Sequence, residues 1–93
     1  MIVRWTDAAQ NHLAAIHSYI AQNSPEYAHR TVDRLTKRTH QIAVYPKSGR
    51  VVPEYESSDL REIIEGSYRI IYRIFPEKID VIAVLHCARN VLK

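Results

Sequence analysis

The apolar residues of this chain fall into two helical stripes followed by runs with the period of a β-strand. Met1-Ile2-Val3-Arg4-Trp5 reads as a short first strand. Thr6 then stands at an N-cap position, with Asp7 at the positive end of the helix that follows. Ala9, Leu13, Ile16 and Ile20 recur at helical spacing while Gln10, His17 and Gln22 face away, which predicts a helix ending near Gln22-Asn23. Ser24-Pro25-Glu26 opens a second helix: serine caps the first amides, proline is preset for the first helical position, and an acid follows. Ala28, Val32, Leu35, Thr39 and Ile42 make one narrow apolar stripe along it. Tyr45-Pro46 stops the helix and Ser48-Gly49 turns the chain.

Arg50-Val51-Val52 predicts a short edge segment before Pro53, which has no amide hydrogen to give a sheet ladder, and 54–59 is polar and reads as a loop. Strands are predicted over 60–65, 68–75 and 79–86, with tight turns at Gly66-Ser67 and Pro76-Glu77-Lys78. The last strand is nearly all apolar and is expected mid-sheet. Short connections make these three an antiparallel meander. The fold class is therefore α+β, a strand, a helical hairpin and then the meander, with the helices on one sheet face and the other partly open.

Period two sorts the strand over 68–75. Tyr68, Ile70, Tyr72 and Ile74 share the side that suits the core. Arg69, Ile71, Arg73 and Phe75 share the other, a face expected to escape full burial because an unpaired arginine is too costly inside.

Ninety-three residues suit one hydrophobic core, so residues 1–93 are expected to fold as one domain. Thirteen basic against ten acidic side chains leave the chain mildly basic, which fits a negatively charged partner such as nucleic acid, a ribosome or an acidic protein tail. One cysteine, Cys87, excludes an internal disulfide and reads as a small apolar filler in a cytoplasmic protein. The first residues lack a signal-peptide pattern and no apolar stretch is long enough to span a bilayer, so no membrane partner is expected. His12, His17, His29 and His40 scatter over the helices without the i, i+4 pairing of a helical metal site; neither a metal nor a cofactor is expected.

The runs Leu60-Arg61-Glu62-Ile63, Gly66-Ser67-Tyr68-Arg69-Ile70-Ile71-Tyr72-Arg73-Ile74 and Val81-Ile82-Ala83-Val84-Leu85-His86-Cys87-Ala88-Arg89 together resemble the RelE/ParE superfamily of toxins from type II toxin–antitoxin systems. The likeness covers almost the whole chain. It implies growth inhibition by one of two routes: ParE-like members poison DNA gyrase, and RelE-like members cut messenger RNA on the ribosome. It also implies a cognate antitoxin encoded by a neighbouring gene. A third possibility is a decayed toxin kept as a corepressor or interaction module.

Were the chain a metal-independent endoribonuclease, arginine would suit transition-state stabilisation, since it stays charged and its planar fork matches phosphate oxygens. The resemblance puts Arg69 and Arg89 in that role. Arginine is a poor proton shuttle, so His86 is the candidate acid/base group. Arg69 has an alternative as a surface strand residue paired with Glu62 or Glu65, Arg89 as a solvated tail residue, and His86 as a structural residue. Arg50, Arg61, Arg69, Arg73 and Arg89 form the candidate set for binding a target or anion, with Arg61, Arg69 and Arg89 expected to converge beside the meander. Arg30, Arg34, Lys37, Arg38 and His40 line the polar side of the second helix, an ordinary solvated face or a nucleic-acid contact. Two departures tilt the resemblance toward ParE: residues 50–62 hold no lysine, and no tyrosine follows Arg89.

Overall fold

Two hydroxyl side chains start the helical hairpin. Thr6 Oγ1 accepts from the Ala9 amide and opens α1, Asp7–Ala21; Ser24 Oγ accepts from the Tyr27 amide and opens α2, Pro25–Val44. The computed structural model describes residues 1–88. Ahead of α1 runs β1, Ile2–Trp5. After α2 come a 3-10 turn, Pro46–Ser48, and then β2, Arg50–Val51, β3, Leu60–Glu65, β4, Tyr68–Ile74, and β5, Lys78–His86.

The five strands form one sheet in the order β1-β5-β4-β3-β2, with β1 parallel to β5 and the remaining pairs antiparallel. The apolar β5 thus lies mid-sheet, as its composition predicts. Gly66, at φ 59, and Ser67 make the two-residue turn between β3 and β4; a side chain at that φ would be strained. The Thr6 hydroxyl and amide both donate to the Val81 carbonyl, at 3.0 and 3.1 Å, so the residue that starts α1 also ties it to β5.

The helices cover one sheet face. Ala9, Leu35 and Ile42 pack there against Ile63, Ile70, Tyr72, Ile79, Val81 and Val84. On α2 the buried stripe includes Thr31 where the periodicity suggests Val32; the Thr31 hydroxyl donates to the Tyr27 carbonyl, which removes the cost of burying it.

The other face is less open than expected. Val52, Leu60 and Ile71 are buried on it, with Ile82, Ala83 and Leu85 packed against them. The β4–β5 register passes from Ile71↔Ala83 to Tyr72↔Val81, so Ile82 is an inserted residue and strict alternation breaks there. Cys87 is exposed, not the apolar filler its composition suggests, because it lies just past the end of β5. Among the described residues no helix is long and apolar enough to cross a membrane.

Candidate functional site

Arg69 is the centre of a charged chain on the sheet face away from the helices. Its side chain is only 7% exposed. Its Nη2 lies 2.9 and 3.0 Å from the two carboxylate oxygens of Glu54, a residue of the segment between β2 and β3. Its Nε lies 3.2 Å from Glu62 Oε1 on the neighbouring β3. The other Glu62 oxygen accepts from Arg50 Nε at 2.5 Å, across the β2–β3 pairing that sets Arg50 opposite Glu62. Pairing is what permits this burial, since a lone guanidinium would have to stay in water. The expectation that Arg69 lies on an unburied face is thereby corrected: Glu62 and Glu54 supply the charge it needs. The pairing is nevertheless imperfect, for Arg69 Nε and Glu62 Oε1 are both buried without an aligned hydrogen bond.

Arg61 sits elsewhere. In register it stands opposite Tyr72, on the helix-covered face, whereas Ile71 and Arg50 stand opposite Glu62 on the other. Its Nη1 donates to the Gly49 carbonyl at 3.1 Å and its Nε to the Ser58 carbonyl at 2.9 Å. Beside it the Tyr72 hydroxyl donates to the Pro46 carbonyl at 2.6 Å and accepts from the Gly49 amide at 3.0 Å. Burial raises the Tyr72 phenol above its ordinary 10.0, partly offset by the Gly49 amide, the Arg61 charge and Ser48. A Cβ on Gly49 would meet the Tyr72 hydroxyl at 2.5 Å and the Glu62 carbonyl oxygen at 2.6 Å, so glycine is required for this approach. Arg61 is thus a clamp that closes the edge of the sheet.

His86 ends β5 opposite Tyr68 and so shares the helix-covered side, turned away from Arg69, which pairs with Leu85. It is exposed, its ring meets Tyr68 edge-on at 5.8 Å, and its Nδ1 accepts from the Ala88 amide at 3.2 Å. The candidate acid/base group and the candidate phosphate-binding arginine therefore occupy different faces of one sheet, and the expected convergence of Arg61, Arg69 and Arg89 fails for its first two members. Arg89 lies outside the described residues. Arg73 is half-exposed on the Arg69 side, opposite Leu60 and Asp80.

Two participants escaped sequence reasoning. Glu54 lies in a polar loop whose partner across the sheet has no local signal. His12, grouped with scattered helix histidines, accepts the Val84 amide at 3.2 Å through Nδ1 and so completes the edge of β5 beyond the end of β1. On α2, Lys37 pairs with Asp33 at 3.0 Å on an open surface, and Arg38 reaches Glu65 at 3.1 Å and the Ile64 carbonyl at 3.1 Å, which makes part of the basic face structural. Among the described residues no cluster of three or more His, Cys, Asp or Glu is placed to hold a metal ion.

A family model described as the ParE toxin of type II toxin–antitoxin systems, parDE, matches residues 3–91. Toxin RelE2 of Caulobacter vibrioides is 34% identical over 88 residues, 94% of this chain and 96% of the relative. The chain belongs to the RelE/ParE superfamily of type II toxins. Solved structures share its fold. The chromosomal ParDE system from P. aeruginosa superposes with a TM-score of 0.76 at 20% identity, covering 92% of this chain and 95% of that one. The RelBE2 toxin–antitoxin complex from Mycobacterium tuberculosis gives 0.57 at 21% identity, covering 91% and 95%. Within this RelE/ParE toxin, the strand motif holding Tyr68, Arg69 and Tyr72 aims its tyrosines at the helices and its arginine at two carboxylates.

Proposed function

We propose that this RelE/ParE toxin inhibits growth in the ParE manner, by binding DNA gyrase and not by cutting RNA, and that a cognate antitoxin encoded by a neighbouring gene holds it inactive. The observation that carries the first part is the neutralised state of Arg69. A guanidinium held by Glu54 and Glu62 has little net charge to offer a pentavalent phosphorane. RNA cleavage without a metal also needs a proton-transfer group within hydrogen-bond reach of the same phosphate. His86 and Arg61 are on the far side of the sheet from Arg69. A toxin that acts by occupying its target needs none of these groups to meet.

Support for the antitoxin comes from the two structural neighbours, a ParDE system and a RelBE2 toxin–antitoxin complex. The name of the Caulobacter relative, Toxin RelE2, favours messenger RNA cleavage as the second reading. Parallel assays separate them. Purified toxin should abolish supercoiling by gyrase and leave ribosome-bound message intact. Cut message with undiminished supercoiling would overturn the gyrase assignment.

A further inference from the structure

We infer that the recess between α2 and the β3–β4 turn is a carboxylate-binding site, with Arg34 as its cation. This goes beyond the choice of gyrase or message as target and does not rest on it.

Three observations carry it. First, Arg34 is an exposed cation without a partner among the described residues, while the next two cations of α2 are answered. Lys37 pairs with Asp33 at 3.0 Å, and Arg38 with Glu65 at 3.1 Å. Second, Arg30, Arg34 and Arg38 follow one another at four-residue steps, which sets them along one face of α2. Like charges at that spacing repel. Arg38 has its own carboxylate, and Glu26 stands one turn before Arg30 and offsets it at longer range. Arg34 is left as the uncompensated member in the middle of the row, where an anion would relieve it. Third, Arg34 does not stand on a flat surface. It lines a recess of about 100 Å³ together with Tyr27 and Thr31 of α2 and with Glu65, Gly66 and Ser67 at the turn.

Size and charge select the ligand. Pockets that enclose a whole small molecule begin at about 300 Å³, so a recess of about 100 Å³ suits a single functional group and not a nucleotide. Its one uncompensated cation matches a singly charged anion. A phosphate group carries about −1.5 to −2 at neutral pH, exceeds that charge, and would meet the Glu65 carboxylate in the same lining. A planar carboxylate fits the guanidinium fork side by side, and the hydroxyls of Tyr27 and Ser67 are in the lining to complete its shell. A free small acid and an acidic side chain of a partner protein present this same group.

The test titrates the full chain at low salt with glutarate, hexaglutamate, inorganic phosphate and a short single-stranded RNA, following the amide resonances of Gly66 and Ser67. A carboxylate probe should shift those two amides, and Arg34→Met should weaken its binding by about tenfold. Arg30→Met removes a cation outside the recess and should change the affinity by less than about threefold. Glutarate binding assigns a small acid as the ligand, and hexaglutamate binding without it assigns an acidic segment of a partner protein. Tighter binding of phosphate or RNA than of either carboxylate probe would overturn the proposal. So would losses of equal size in the Arg30 and Arg34 variants, which would mean diffuse attraction to a basic helix face. Should Arg34→Met fail to fold, the wild type decides: unmoved amides at 66–67 with both carboxylate probes sink the site.

Discussion

Arg61 and Arg69 send their guanidiniums to opposite sides of the same sheet. Arg61 donates to the Gly49 carbonyl on the helix-covered side, and Arg69 reaches Glu54 and Glu62 on the other. They share no partner, so they should behave as independent sites. In a double-mutant cycle with Arg61→Ala and Arg69→Met, read by urea unfolding, the coupling should not exceed about 0.5 kcal/mol. A larger value would mean that both arginines serve one site.

Glu62 is the linchpin of the charged chain, fully buried between Arg50 and Arg69. Glu62→Leu removes one of the two carboxylates that hold a buried guanidinium, leaving it Glu54, and should cost about 1–3 kcal/mol. Adding Arg69→Met removes the buried cation and leaves the part-exposed Glu54 to turn to water, so it should recover part of that loss, since apolar replacements of buried ion pairs are often neutral. The unfolding midpoints of the single and double variants check this. No recovery in the double variant would refute it.

Tyr72 links stability to alkaline pH. Its phenol titrates higher in the folded chain than its ordinary 10.0, so the folded state holds the proton more tightly. The associated stability is fully present below about pH 10 and is lost as pH rises through the folded value. Tyr72→Phe should flatten that alkaline decline. At neutral pH the same change strands the Gly49 amide and should cost about 1–3 kcal/mol. Thermal melts between pH 7 and about 11 would show both effects; a variant that declines with the wild-type slope would exclude Tyr72 as the cause.

Gly49 and Tyr72 are coupled by space as well as by a hydrogen bond. A methyl on Gly49 would press on the phenol and on the Glu62 backbone, which is not a flexible neighbour. Gly49→Ala should cost about 1–3 kcal/mol, the usual range for overpacking. Combined with Tyr72→Phe, the two costs should fall short of their sum, because the phenolic oxygen that clashes is then gone.

His12 protects an open strand edge. Replacing it by leucine keeps the bulk and removes the acceptor for the Val84 amide. The expected cost is about 1–3 kcal/mol, together with faster amide exchange at Val84. Unaltered exchange would show that α1 itself, and not the imidazole, shields that edge.

The elements themselves were legible in the order of residues. Ser24-Pro25-Glu26 announces a helix start, Gly66-Ser67 a hairpin, and the apolar run 79–86 a central strand, because capping, turn chemistry and strand composition are local properties of the chain. The family was legible for a related reason, since its motifs lie on single strands. Arg69 reads in the sequence as a residue of an incompletely buried face, with surface pairing to Glu62 or Glu65 as its alternative; the structure buries it and supplies Glu62.

What only the tertiary structure decided is which charges meet. Glu54 joins Arg69 from a loop 15 positions away, and His12 meets Val84 across 72. Arg61 and Arg69, read as neighbours, are parted by the pleat of the sheet. Long-range pairing depends on register and on the path of an irregular segment, and neither leaves a period in the sequence. Local periodicity therefore specified the scaffold of this toxin, while the folding of a polar loop over one sheet face determined the chemical state of its central arginine.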